Sequence, residues 1–267
     1  KVIPWQKLPN VGYHPEVNTV VWGLILPELL RDGLGPTSGV AVYDWGADAG
    51  WYSMAMAATF PKAQVISLQK YARPKGGQGG YGTRYIAHVD ALERFGFANN
   101  VICDTLFGSD TFARLNAKHL VATYQFTLAV FHWMPCRRDF ACWTTLFQSH
   151  LQAARSTFFS YPPKSEGSRS ALTRRNPGIP GFYGNHSNLT QALLAHTQGL
   201  RVRIRFLGVS YKRNNTSAEG RALYRIDNLD VPENTHWNCG AAMREMQCEQ
   251  KVEQVAAHMV CPDWAIS

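Results

Sequence analysis

The chain has no run of ~18 consecutive apolar residues, the length a bilayer-spanning helix needs. Its most apolar early stretch, Val20 to Leu30, is too short and contains Pro27 and Glu28. No two of its six cysteines form a C-x-x-C pair, which argues against a zinc ribbon or a thioredoxin-type site and leaves no metal site to expect. No internal repeat or low-complexity segment is present, so solenoids and propellers are excluded. Hydrophobic residues are nevertheless 45% and aromatics 12% of the 267 positions, which rules out disorder for most of the chain. The chain starts at Lys1, which is compatible with a targeting segment removed from a precursor.

The charge is basic, with 27 Lys+Arg against 19 Asp+Glu and a formal net charge of +8. The excess is spread over both halves. Local concentrations are Arg169/Arg174/Arg175 and the stripe Arg201/Arg203/Arg205 with Lys212/Arg213. Such a balance favours solubility and attraction of anions without naming a ligand. Cys103 lies in an apolar run and reads as a small core residue, while Cys239, Cys248 and Cys261 cluster near the C-terminus, where disulfides could tie the tail. Four N-x-[ST] sequons, at Asn185, Asn188, Asn214 and Asn215, point with the cysteines to a secreted or lumenal glycoprotein.

Short apolar runs alternate with amphipathic stretches, the pattern of a parallel sheet with crossover helices. Strands are expected at 39–44, 64–68, 101–103, 125–131 and 156–161. Helices are expected at 51–60, 85–95, 109–118 and 138–154, the last with apolar spacing at Phe140, Trp143, Leu146, Phe147 and Leu151. The glycine-rich stretch from Lys70 to Arg84 reads as a long functional or mobile loop. Residues 162–184 form a second long loop, followed by a helix from His186 to His196. Two alternating segments, Arg201 to Leu207 and Arg221 to Asp227, then form an antiparallel hairpin. The expected architecture is α/β: a Rossmann-like sandwich on a mostly parallel seven-stranded sheet that ends in an antiparallel hairpin. Residues 1–38 form an N-terminal cap, 39–228 the main domain, and 229–267 a tail packed on it, helical from Ala241 to His258.

The most informative segment is Asp44-Trp-Gly46-Ala-Asp48-Ala-Gly50, between the first strand and the helix after it. Glycines let a backbone turn tightly and approach a ligand without an intervening Cβ. The helix that follows offers free N–H groups and the positive end of its dipole. In open α/β sheets ligands sit beyond the carboxyl ends of the strands, where this turn lies.

This segment resembles motif I of class I S-adenosylmethionine-dependent methyltransferases, most nearly the D-x-G-A-N-x-G variant of FkbM-like enzymes, with Asp48 where that pattern has Asn. Residues 97–104 resemble the stretch carrying an acidic contact to adenine, residues 124–133 resemble motif IV, and residues 155–162 resemble the fifth strand. The resemblance covers roughly residues 39–228 and implies that S-adenosyl-L-methionine is the cofactor. It implies that Asp44, Gly46, Asp48 and Gly50 line its methionine and ribose part, with Gln69 at the ribose position. Asp104 and Thr105 then face the adenine, while Phe131 and His132 lie under the sulfonium or at the acceptor. His132 is the first candidate general base for a hydroxyl acceptor, and His186 a second. Gln69 departs from the pattern, which has Asp or Glu there to hold both ribose hydroxyls. A carboxamide lacks the bidentate charged acceptor.

The leading expectation is O-methylation of a small molecule or glycan. An alternative is an inactive methyltransferase-like domain serving as a structural or binding module, supported by Gln69, Asp48 and the basic surface. Nucleic acid is a less favoured acceptor. His132-Trp133-Met134-Pro135 follows the fourth strand where amino-methylating enzymes carry an N/D-P-P-Y-type motif.

Overall fold

Alternation along the strands decides what lies on each side of the sheet. In the computed structural model, which describes residues 4–9, 15–70, 81–164, 178–210, 220–232 and 237–248, β1 spans Ala41–Trp45, β2 Gln64–Gln69 and β3 Asn100–Asp104. Successive side chains point to opposite faces of a strand. Val42, Val65 and Ile102 therefore pack one core, while Tyr43, Trp45, Ile66, Leu68 and Val101 pack the other. Strands buried on both faces are what a parallel sheet covered by helices requires.

The first core is covered by α1 (Pro15–Arg31), α2 (Trp51–Thr59) and α3 (Tyr81–Phe95). The second is covered by α4 (Ser109–Ala117), α5 (Phe140–Leu151), α6 (Gly178–Tyr183), α7 (Leu189–His196) and α8 (Cys239–Glu245). Between these helices lie β4 (Ala122–Leu128) and β5 (Ala154–Ser160), then β6 (Val202–Ser210) and β7 (Arg221–Asn228). The seven strands order as β3-β2-β1-β4-β5-β7-β6. The first five are parallel, and β7 runs antiparallel to both β5 and β6. This is the expected sheet with its terminal hairpin.

Several boundaries differ from expectation. β4 stops at Leu128, not Phe131, because Ala129 adopts a left-handed backbone (φ 58°) and its N–H caps Ser160 O at the end of β5. Phe131 and His132 consequently sit in a 3-10 turn, Phe131–Trp133, instead of on a strand. α3 begins at Tyr81, four residues early, which brings Arg84 into its first turn. The expected loop 162–184 ends in α6, whose Ile179, Phe182 and Tyr183 are buried; apolar side chains there gain roughly 2 kcal/mol each by leaving water. α7 starts at Leu189 because Asn188 serves as its N-cap, accepting from Gln191 N–H at 3.0 Å. Asp139 caps α5 in the same way, accepting from Cys142 N–H. Residues 71–80, most of residues 162–177, the hairpin turn 211–219, and residues 249–267 with the end of the expected tail helix lie outside the described residues.

Cys103 is not a free core thiol. It is bonded to Cys248, 145 residues away, and Cys136 is bonded to Cys142. Cys239 is disulfide-bonded as well. The basic stripe on β6 is matched by acids within the chain. Arg201 pairs with Asp230 (3.4 Å), Arg203 with Asp227 (3.7 Å) and Arg205 with Glu28. Arg225 beside them is buried and pairs with Asp32 and Asp227, each at 2.7 Å. Among the described residues no helix is long and apolar enough to cross a membrane.

Candidate functional site

The ends of β1, β2 and β3 lie level with one another, because Trp45 is opposite Leu68 and Gln69 is opposite Asp104 in the parallel register. The turn after β1 is fastened to β2: Gly46 and Ala47 N–H groups both donate to Leu68 O, at 2.7 and 3.0 Å. Three of its residues are left-handed: Gly46 (φ 74°), Asp48 (φ 55°) and Gly50 (φ 75°). Glycine tolerates that conformation freely, and Asp is among the few side-chain-bearing residues that tolerate it at all. A Cβ on Gly46 would lie 2.3 Å from a Val130 methyl, and one on Gly50 would lie 2.0 Å from the His88 ring. The turn is therefore clamped between the β4 loop and α3. Gly50 is the N-cap of α2 and supplies no side-chain acceptor; in that first turn the Ser53 N–H is met by the Asp44 carboxylate.

Asp44 is buried at the end of β1, where Ser53 Oγ donates to its Oδ2 at 2.6 Å. A chain of hydroxyls continues from Ser53 to Ser67 and Asn100, each step 2.7 Å. Burial pushes the Asp44 carboxyl up to about 6; the Ser53 hydrogen bonds pull the other way, and the negative charge of Asp48 adds to the rise. Burial, and next the Asp44 charge, hold the Tyr52 hydroxyl far above its ordinary value, opposed by the positive charge of Arg221.

Asp48 pairs with Arg84 of α3, and its N–H donates to Gln69 Oε1 at 3.4 Å. Asp104 is buried, with Lys70 Nζ 3.7 Å away. Thr105 is buried beside it. Its hydroxyl donates to Met246 O at 2.9 Å and so anchors the C-terminal segment.

The structure brings Asp44, Gly46, Asp48, Gly50, Gln69 and Asp104 to one end of the sheet. It does not bring Phe131 there. That ring is fully buried among Trp143, Phe147, His150, Phe159 and Phe182, a packing role instead of a cofactor contact. His132 follows it, two residues beyond the turn's neighbour Val130, with ring contacts to Trp133 and Tyr161. His186 packs on Phe140 ahead of α7, in the helical layer that covers the second core. Sequence reasoning missed Ser53, Arg84, His88 and Val130. Ser53 was legible in principle, one helical turn past Gly50 and facing back toward β1. Arg84 and Val130 depend on a helix start and a strand end that the pattern misplaced, and His88 on how α3 packs against the turn.

Two buried histidines under the site make acid stability testable. Burial lowers His150 to about 3, and burial also lowers His196 to about 4, against a weaker opposing hydrogen bond to Phe182 O. Both are neutral when folded but protonate near pH 6.5 when unfolded. Between about pH 6.5 and 4 the unfolded chain binds more of their protons, so stability falls as pH falls. Asp44, raised in the fold, acts oppositely over about pH 4 to 6. The net expectation is two groups against one, a loss of about 1 kcal/mol per pH unit from pH 6 to 5. Urea midpoints across that range check it; a midpoint that rises on acidification would contradict it.

No family model and no curated protein matches the sequence. Similarity is found among solved structures. A cyclopropane-fatty-acyl-phospholipid synthase-like protein from Lactobacillus casei superposes with a TM-score of 0.52 at 9% identity, covering 80% of this chain and 92% of that one. A precorrin-6y C5,15-methyltransferase from Geobacter metallireducens gives 0.44 at 12%, covering 85% and 97%. A SAM-dependent methyltransferase from Aquifex aeolicus gives 0.43 at 13%, covering 79% and 97%. With the strand order above, the fold is the α/β Rossmann-like methyltransferase fold.

Proposed function

We propose that the protein is an S-adenosylmethionine-dependent methyltransferase that methylates an oxygen of a small molecule or glycan, with the FkbM-like enzymes as its nearest pattern. The observation that carries this reading is the left-handed turn Gly46–Gly50 set between buried Asp44 and the start of α2. The donor set suits the cofactor: carboxylates for an amine and hydroxyls, backbone N–H groups for a carboxylate. The start of α2, set in place by buried Asp44 through Ser53, would hold the methionine end, Asp48 with Gln69 the ribose, and Asp104 the adenine. The cofactor supplies an electrophilic methyl group on its sulfonium. The chain supplies position, which accounts for much of the rate in such a transfer, and a base. His132, as the neutral imidazole, accepts the proton of an acceptor hydroxyl. The internally paired arginines of β6 favour a neutral acceptor over nucleic acid.

Calorimetry with S-adenosylhomocysteine tests the reading. The wild type is expected to bind, Asp44→Ala to weaken binding at least tenfold, and His132→Gln to bind normally while losing turnover. Absence of heat at millimolar ligand would instead leave the second reading, an inactive methyltransferase-like module, which Gln69 favours.

Disulfides persist in oxidising compartments, which supports a secretory or lumenal location. Of the two sequons among the described residues, Asn185, exposed in the turn before α7, is better placed to carry a glycan, because Asn188 is engaged as an N-cap. Protein from a secretory host should lose mass on glycan removal, and Asn185→Gln should reduce that loss. An unchanged mass would refute the assignment.

A further inference from the structure

The carboxylates at this end of the sheet are not equally able to meet a ligand. The Asp44 side chain is sealed beneath Ser53. Asp104 is 4% exposed at its side chain, with Lys70 beside it. Asp48 is the exception, with 24% of its side chain exposed at the mouth of the turn, held by the guanidinium of Arg84.

Gln69 extends from the end of β2 toward the same place. Its carboxamide is oriented by a donor: Asp48 N–H can only be met by an oxygen, so the near atom is Oε1 and Nε2 points away from that bond. The one acceptor oxygen of Gln69 is therefore already engaged. A vicinal diol is met by two acceptor atoms in a fixed fork, which a carboxylate provides; a carboxamide has one acceptor oxygen, and here Asp48 N–H takes one of its two lone pairs.

We infer that Asp48 and Gln69 divide the task of a single strand-end acid. Asp48 accepts both hydroxyls of a ligand's cis-diol, and Gln69 Nε2 donates to it. The carboxylate is carried by the turn after β1 instead of by the end of β2, and Arg84 is the positioning residue that pairs with it and holds it in place. This rests on the nucleoside-cofactor reading of the same site, and it makes the departure at Gln69 an exchange of roles, not a loss. Asp48 can be neutralised cleanly, because Asn tolerates the left-handed backbone at φ 55° as well as Asp does.

The experiment is calorimetry with S-adenosylhomocysteine, adenosine, 2′-deoxyadenosine and 3′-deoxyadenosine. The wild type should bind adenosine at least tenfold more tightly than either deoxynucleoside. Asp48→Asn should weaken adenosine and S-adenosylhomocysteine ten- to hundredfold and leave the deoxynucleosides nearly unchanged, so that discrimination disappears. Arg84→Met should reduce the same discrimination by a smaller factor, which loss of packing alone would not do. In the double variant Asp48→Asn/Gln69→Glu a carboxylate returns one strand over, and affinity should recover to within about tenfold of wild type. Asp48→Asn binding with wild-type affinity and discrimination, while Asp44→Ala fails to bind, would overturn this assignment and leave the methyltransferase reading standing. A double variant no better than Asp48→Asn would overturn the exchange. A wild type that binds no nucleoside ligand would overturn both.

Discussion

Replacing Gly46 by alanine should cost roughly 2–5 kcal/mol of stability and abolish cofactor binding. The estimate adds a left-handed backbone penalty of about 1–2 kcal/mol for a residue with a Cβ to an overpacking cost of about 1–3 kcal/mol. Overpacking is unavoidable here. The new Cβ would lie 2.6 Å from Val130 Cβ, an atom tied to the β4-loop backbone and not the tip of a flexible side chain. Gly50→Ala meets a different obstacle, the buried ring of His88, which can rotate only at the expense of its own packing, so its cost should be slightly smaller. Gly33→Ala is the control. Its φ is 84°, yet no atom lies within 4 Å of its would-be Cβ, so it should lose only the backbone term and leave binding intact. Urea unfolding of the three variants should rank Gly46 as most costly, then Gly50, then Gly33. Equal losses at Gly46 and Gly33 would show that the clamp by Val130 contributes nothing.

Removing the Cys103–Cys248 cross-link, by paired serine substitutions, should cost about 5 kcal/mol. The bond closes a loop of 145 residues, and the entropy withheld from the unfolded chain grows with the logarithm of loop length. The Cys136–Cys142 bond closes six residues and should be worth about 2 kcal/mol on the same reasoning. The larger loss has a functional side. Cys103 precedes Asp104 in β3, and the segment it tethers also receives the Thr105 hydroxyl at Met246 O and Arg114 Nε at Glu245 O (2.7 Å). Without the tether, that segment would depend on these hydrogen bonds and on the packing of Ala242, Met243 and Met246 in the core. Denaturant titrations of the two double variants, with S-adenosylhomocysteine binding measured alongside, check both effects. Similar losses from the long and the short loop would refute the entropic account.

The parallel strands and the glycine turn were legible because both are local. A doubly buried strand is mostly apolar, as at Val65, Ile66 and Leu68, and a tight left-handed turn favours glycine, as at Gly46 and Gly50. The terminal hairpin was equally plain in the alternation of Arg201–Leu207 and Arg221–Asp227. What failed was nonlocal. Phe131 continues the apolar run of β4 and reads as strand. Its partner strand ends at Ser160, so the ladder stops, Ala129 turns left-handed, and Phe131 falls into the aromatic core. Cys103 looked like a core thiol because nothing near it in sequence mentions Cys248. The arginines of β6 looked like a cationic stripe because their acids, Glu28, Asp227 and Asp230, come from other segments.

The sequence by itself determined the fold and the place of the site, since both follow from hydrophobic period and from backbone conformations that few residues can adopt. Which side chains act there was decided by tertiary structure. Hydrogen bonding and burial depend on what the chain brings together across tens of residues: Ser53 sealing Asp44, Arg84 holding Asp48, Gln69 turned onto a neighbouring N–H, and a tail bonded to the strand that ends at Asp104.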